Sequence, residues 1–176
     1  MVRRRFSPDN AESLRANILR LIADSAASAA EVLKALAQCQ AHLTNRSLLE
    51  QALKECGLRA SGFITSEDLE LYFDVVKGKR EMGYISKGWD DPGFRVGDVV
   101  VVPTSQIKAV RDHAQTLMKY CATRGVTVSG EKKDGSMEFQ MDSVIYSDGF
   151  NKKVFAQVLH CLAECREKAT ELFGSS

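Results

Sequence analysis

The chain has 176 residues, 44% apolar and 27% charged, with a formal net charge of +1. That length can bury a core as one domain, or as a domain with a smaller appendage, and the near-neutral balance excludes a global basic excess pulling the molecule toward nucleic acid. No apolar run approaches the roughly 18 residues of a membrane span.

The opening, Met1 to Pro8, carries Arg3, Arg4 and Arg5 without the apolar core of a signal peptide behind them. The expected compartment is the cytoplasm. Five cysteines, Cys39, Cys56, Cys121, Cys161 and Cys165, fit it: the number is odd, no disulfide framework spacing appears, and each falls in a predicted helix, where Cys acts as a small buried hydrophobe.

The first sixty residues read as helix. Leu14, Ile18, Leu21 and Ile22 recur at helical spacing after a cap at Asp9 or Asn10. An Ala-rich helix follows from about Ala26 to Leu43, with Leu33, Leu36 and Leu43 on one side. Thr44-Asn45 opens a third helix carrying Leu48, Leu49, Ala52, Leu53 and Cys56, which Gly57 stops. Arg59 to Gly62 reads as a flexible boundary, dividing a helical region, residues 1–62, from an α+β domain, residues 63–176.

Leu69 to Val76 has two readings. As a strand it puts Leu69, Leu71, Phe73 and Val75 on one face and Glu70, Tyr72 and Asp74 on the other. As a helix it starts with a capping box at Thr65 to Asp68. The aromatic and β-branched content favours strand, and Glu81 to Ile85, beyond the Gly78 turn, supplies a hairpin partner. Lys87 to Gly93 reads as a loop. Val99 to Val102 is a strand, and Pro103-Thr104-Ser105 ends it and caps a helix from Gln106 to Thr123, with Ile107, Val110, Ala114, Leu117, Met118 and Cys121 as its stripe. Val126 to Ser129 and Met137 to Tyr146 flank Asp134-Gly135, the strongest short-range hairpin signal. Asn151 caps a last helix from Lys152 to Phe173. From Leu69 onward the order is β-β-β-α-β-β-α, an antiparallel sheet with two long helices packed on it and a helical region ahead of it: an α+β fold.

No catalytic constellation emerges. A phosphate-binding loop and a Gly-x-Ser-x-Gly elbow are absent. His42, His113 and His160 stand alone on separate helices. Cys39 with His42, and Cys161 with Cys165 beside His160, have spacings that share a helix face, yet they lie on helices rather than on the turns structural zinc uses. An EF-hand register across Ser61 to Asp68 would put Gly57 and Arg59 at ligand positions, which excludes calcium. Asp90 and Asp91, before Pro92-Gly93, read as turn chemistry. No catalytic, cofactor or metal residue is assigned.

The β-β-β-α-β-β-α order, with Val144 to Phe150 and the amphipathic helix after it, resembles the fold of type III secretion chaperones and YbjN-like proteins. That resemblance covers roughly 60% of the chain and implies a dimeric, non-enzymatic module that holds a client protein against sheet and helix surfaces. Ile18 to Ile22, Ala29 to Leu33 and Arg46 to Leu58 resemble a winged helix-turn-helix, which implies a third helix reading the major groove; Glu50 and Glu55 balance Arg46 and Lys54 on that helix, whereas phosphate neutralisation needs a basic face. The leading expectation is an adaptor or chaperone-like module that binds a protein client and forms a homodimer, with no role for a membrane or a cofactor. A DNA-binding regulator and an enzyme of unrecognised class are the alternatives. Trp89, Phe94 and Tyr84, around the Gly-rich loop, are the expected interface residues, because loop aromatics often anchor interfaces.

Overall fold

The computed structural model describes residues 8–133 and 135–174. The basic run Arg3 to Arg5 and Asp134 of the expected turn lie outside the described residues, as do the side chains of Asp9, Asn10, Thr104 and Ile107. The chain divides into two compact units, Met1–Leu43 and Thr44–Ser176.

The first unit holds α1 (Pro8–Ala23) and the first part of α2 (Ala29–Glu55). Proline suits the first helical position, where its missing N–H costs nothing, so α1 begins ahead of the expected cap. Ser28 and Glu31 start α2 with a reciprocal capping box: the Ser28 N–H donates to Glu31 Oε2 at 2.7 Å, and the Glu31 N–H donates to Ser28 Oγ at 3.3 Å. The Ser28 hydroxyl also donates to Glu31 Oε2 at 2.7 Å, and this bond, with the one from the Ser28 N–H, holds the Glu31 carboxyl below its usual range.

The three expected N-terminal helices are corrected to two. α2 runs unbroken through Thr44-Asn45 for 27 residues, because neither Thr nor Asn forces a break when an Ala- and Leu-rich helix continues on both sides. The three-helix arrangement of a winged helix-turn-helix is therefore not formed. α2 ends at Gly57, whose φ of 70° closes the helix: Leu58 N–H reaches Leu53 O at 2.8 Å and Gly57 N–H reaches Lys54 O at 3.1 Å.

The second unit is a six-stranded antiparallel sheet, β1 (Arg59–Ile64), β2 (Leu69–Lys77), β3 (Arg80–Gly88), β4 (Gly93–Pro103), β5 (Thr127–Lys133) and β6 (Ser136–Tyr146), in the order β1-β2-β3-β4-β6-β5. With α3 (Ile107–Ala122) and α4 (Lys152–Phe173) it gives the expected β-β-β-α-β-β-α order from Leu69 onward. The Leu69 segment is a strand. Asn151 caps α4, accepting from the N–H groups of Lys153 and Val154 at 3.0 and 3.1 Å.

Three details depart from the sequence reading. Arg59 to Gly62, expected as a flexible boundary, belongs to edge strand β1, which pairs with β2 and has a bulge between Ser61 and Ile64, so the division at 62/63 falls inside a strand. β4 begins at Gly93, shortening the expected loop to four residues. A 3₁₀ turn, Thr104–Gln106, precedes α3, and Gln106 makes no side-chain cap bond.

One face of the sheet is covered. Phe73, Ile85 and Val96 pair across β2, β3 and β4, all fully buried, and join Phe139, Met141, Leu117, Phe155 and Leu162 in one core. Leu49, Ala52 and Leu53 of α2 complete it. Cys121 and Cys165 belong to this core, and burial pushes the Cys165 thiol up to about 12. Cys39 corrects the expectation of buried cysteines, because it is exposed.

Candidate functional site

Strand alternation sends every second residue to the other face, and within the second unit no described element covers that face. Along β4 it carries Arg95, Gly97, Val99 and Val101; along β6, Glu138, Gln140, Asp142 and Val144. Outward positions of such sheets are ordinarily polar. Here Val99, Val101 and Val144 stand 38%, 45% and 48% exposed, interleaved with ring and amide groups.

Tyr84 is the centre of this face. Across from it in register is Gly97, and the Tyr84 ring lies over that glycine: a Cβ there would stand 2.5 Å from the Tyr84 Cζ and hydroxyl oxygen. The ring stacks on Tyr72, centroids 5.7 Å apart and 19° between planes. Gln140 Nε2 donates to the Tyr84 hydroxyl at 2.6 Å, and the Tyr72 hydroxyl donates to Asp74 Oδ1 at 3.2 Å. Burial raises both phenols above their usual range, with the nearby Asp142 and Asp74 carboxylates adding to it. Both therefore stay neutral donors at physiological pH.

A groove of about 470 Å³ opens beside these rings, lined by Tyr72, Tyr84, Ser86, Val99, Ser129 and Gln140, with Glu131, Lys133 and Glu138 along it. Arg95 and Thr127 both reach Asp142 Oδ1, at 3.4 and 3.1 Å. The face thus offers aromatic and aliphatic area, neutral hydrogen-bonding groups and charges of both signs. Among the described residues no three His, Cys, Asp or Glu side chains gather in a metal-ligating cluster.

The structure does not bring the three expected interface aromatics together. Tyr84 lies on the open face, 9% exposed. Phe94 faces the core, 0% exposed, edge-on to Phe150 at 5.0 Å. Trp89 sits half-buried in the β3–β4 loop, where its indole N–H donates to Ser66 O at 3.0 Å and ties that loop to the β1–β2 loop. Asp91 makes the anticipated turn, accepting from Gly88 N–H at 2.8 Å. Tyr72, Gln140 and Gly97 were the residues that sequence reasoning missed. The alternation that put Tyr72 opposite Leu71 and Phe73 was a usable signal for one of them.

No family model matches the chain, and no curated protein sequence does. An uncharacterized protein from Methanothermobacter thermautotrophicus shares the fold, at 12% identity and a TM-score of 0.57, over 73% of this chain and 99% of that one. YbjN from E. coli matches at 12% identity and a TM-score of 0.43, over 70% of this chain and 92% of that one. The likeness to the Methanothermobacter protein is of fold alone.

Proposed function

We propose that this chain is a non-enzymatic, cytoplasmic protein-binding module, working as a homodimer and holding a segment of a client protein on the open face of its sheet. The observation that carries this is the stripe of Val99, Val101 and Val144 around the Tyr72–Tyr84 stack, exposed on a face where solvent normally selects polar residues. An extended or helical client segment would bury the valines and exchange hydrogen bonds with Tyr84, Ser86 and Gln140, while charges of both signs set its register. Membrane insertion is no part of this reading, and among the described residues no helix is long and apolar enough to cross a membrane.

The test is affinity capture from native lysate with the wild-type chain and with Val99→Lys/Val101→Glu. Loss of one defined protein at unchanged melting temperature supports the sheet face. Equal capture by both chains overturns it. Trp89→Ala in parallel decides whether the β3–β4 loop contributes: lost capture at unchanged melting temperature adds Trp89 to the surface, and a large fall in melting temperature makes its indole bond structural.

A further inference from the structure

The first unit has a surface of a different kind. Among residues 11–43 not one is buried, although Leu14, Ile18, Leu21, Leu33, Leu36 and Leu43 are large and apolar; they stand 38% to 68% exposed. An apolar groove of about 450 Å³ runs between the two helices, lined by Ile18, Leu21, Ile22, Val32, Leu36 and Cys39. Helices in proteins are held mainly by packing of an apolar face rather than by propensity, and this hairpin has apolar faces without a core.

We propose that the hairpin is the self-association surface, and that it is covered by the same hairpin of a second copy, four helices closing into one bundle. A stable interface needs roughly 800 Å² from each partner, and six half-exposed Leu and Ile side chains with the groove between them supply area of that order. The two helical stretches of this unit are of similar length, 16 residues in α1 and 15 in the part of α2 from 29 to 43. Charge is balanced as well. Residues 8–43 hold Asp9, Glu12, Asp24 and Glu31 against Arg15, Arg20 and Lys34, so along these helices a second copy meets charges of both signs in near balance. A two-fold pairing satisfies both copies with one patch, and the alanines at 29, 30, 35 and 37 let helices approach closely.

The proposal rests on the dimeric form of the functional reading above and is independent of the client face. Light scattering of the full chain across micromolar concentrations is expected to give twice the chain mass, falling to one chain mass in Leu21→Lys/Leu36→Lys while the thermal transition of the sheet unit stays. A wild-type chain that is monomeric throughout overturns both the dimer and this surface. A dimer that survives in the double variant overturns this surface alone, as does a hairpin covered instead by a helix of another protein on a single chain. A second readout needs no variant: alkylation of Cys39 in the native chain should slow as protein concentration rises through dimerisation, and a rate independent of concentration overturns the proposal. Val99→Lys/Val101→Glu, which tests the client face, should leave the mass doubled.

Discussion

The Lys87 ammonium lies 2.6 Å from Glu70 Oε2 with both side chains out of solvent, 7% and 2% exposed. Asn45, from α2, donates to the other Glu70 oxygen at 2.7 Å, and Lys87 also reaches Gly88 O at 3.2 Å. The register of β2 on β3 shifts between Leu69 and Leu71, which turns the intervening Glu70 toward this network instead of leaving it on the outward face. Two charges are thereby sealed at one end of the sheet, each answered by the other.

Removing one partner of such a pair costs more than the pair contributes, because the survivor is left charged and dry. Lys87→Met is expected to destabilise the chain by about 3–5 kcal/mol. Glu70→Leu combined with Lys87→Met should recover a large part of the loss. Urea denaturation of the singles and the double checks this, and strictly additive losses would refute it.

Gly97 tests the Tyr84 site. A methyl at that position meets the phenol ring within 2.5 Å, so the ring must swing away from Tyr72 and give up the Gln140 bond. Overpacking of this kind costs about 1–3 kcal/mol. Gly97→Ala should show that loss together with a changed near-UV tyrosine signal. In Tyr84→Ala the same glycine substitution should cost little, a non-additivity expected of residues in contact. Equal cost in both backgrounds would mean the ring does not depend on the glycine.

Asp98 sets a pH dependence. Its carboxylate faces α4, where Arg166 Nη1 donates to both oxygens at 3.1 and 2.8 Å, and the Val99 N–H donates at 2.8 Å. Burial nevertheless dominates and raises its pKa above the usual value, with Arg166 only partly offsetting it. A raised pKa means the folded state binds the proton more tightly than the unfolded chain. The stability this gives is complete below the unfolded value, about 3.9, and is lost as pH rises through the folded one. Wild type should therefore lead Asp98→Asn by a wider margin at pH 3 than at pH 7, measured by urea denaturation at both. A margin that grows toward neutral pH would reverse the sign and show that the Arg166 pair outweighs burial.

Periodicity was enough to read the α+β class, the strand at Leu69, the order that follows it and the Asn151 cap, because each is a local statement about which residues share a face or close a turn. Helix continuity through Thr44-Asn45 was not legible: a good capping residue is also a tolerable helix residue, and packing of Leu49 and Leu53 decides between the two. β1 was hidden because an edge strand with a bulge and a Gly has no alternation to read. The same division holds for the candidate site. Sequence marked Tyr84 as notable and put Tyr72 on the outward side of its strand, whereas only the register set Tyr84 over Gly97 and beside Gln140, and only the packing of three helical segments on one face left the other without a described covering element of the second unit. Phe94 shows the limit most plainly: an aromatic beside a loop is buried or displayed according to which face of the sheet it meets, and that parity is set by pairing partners far away in the chain.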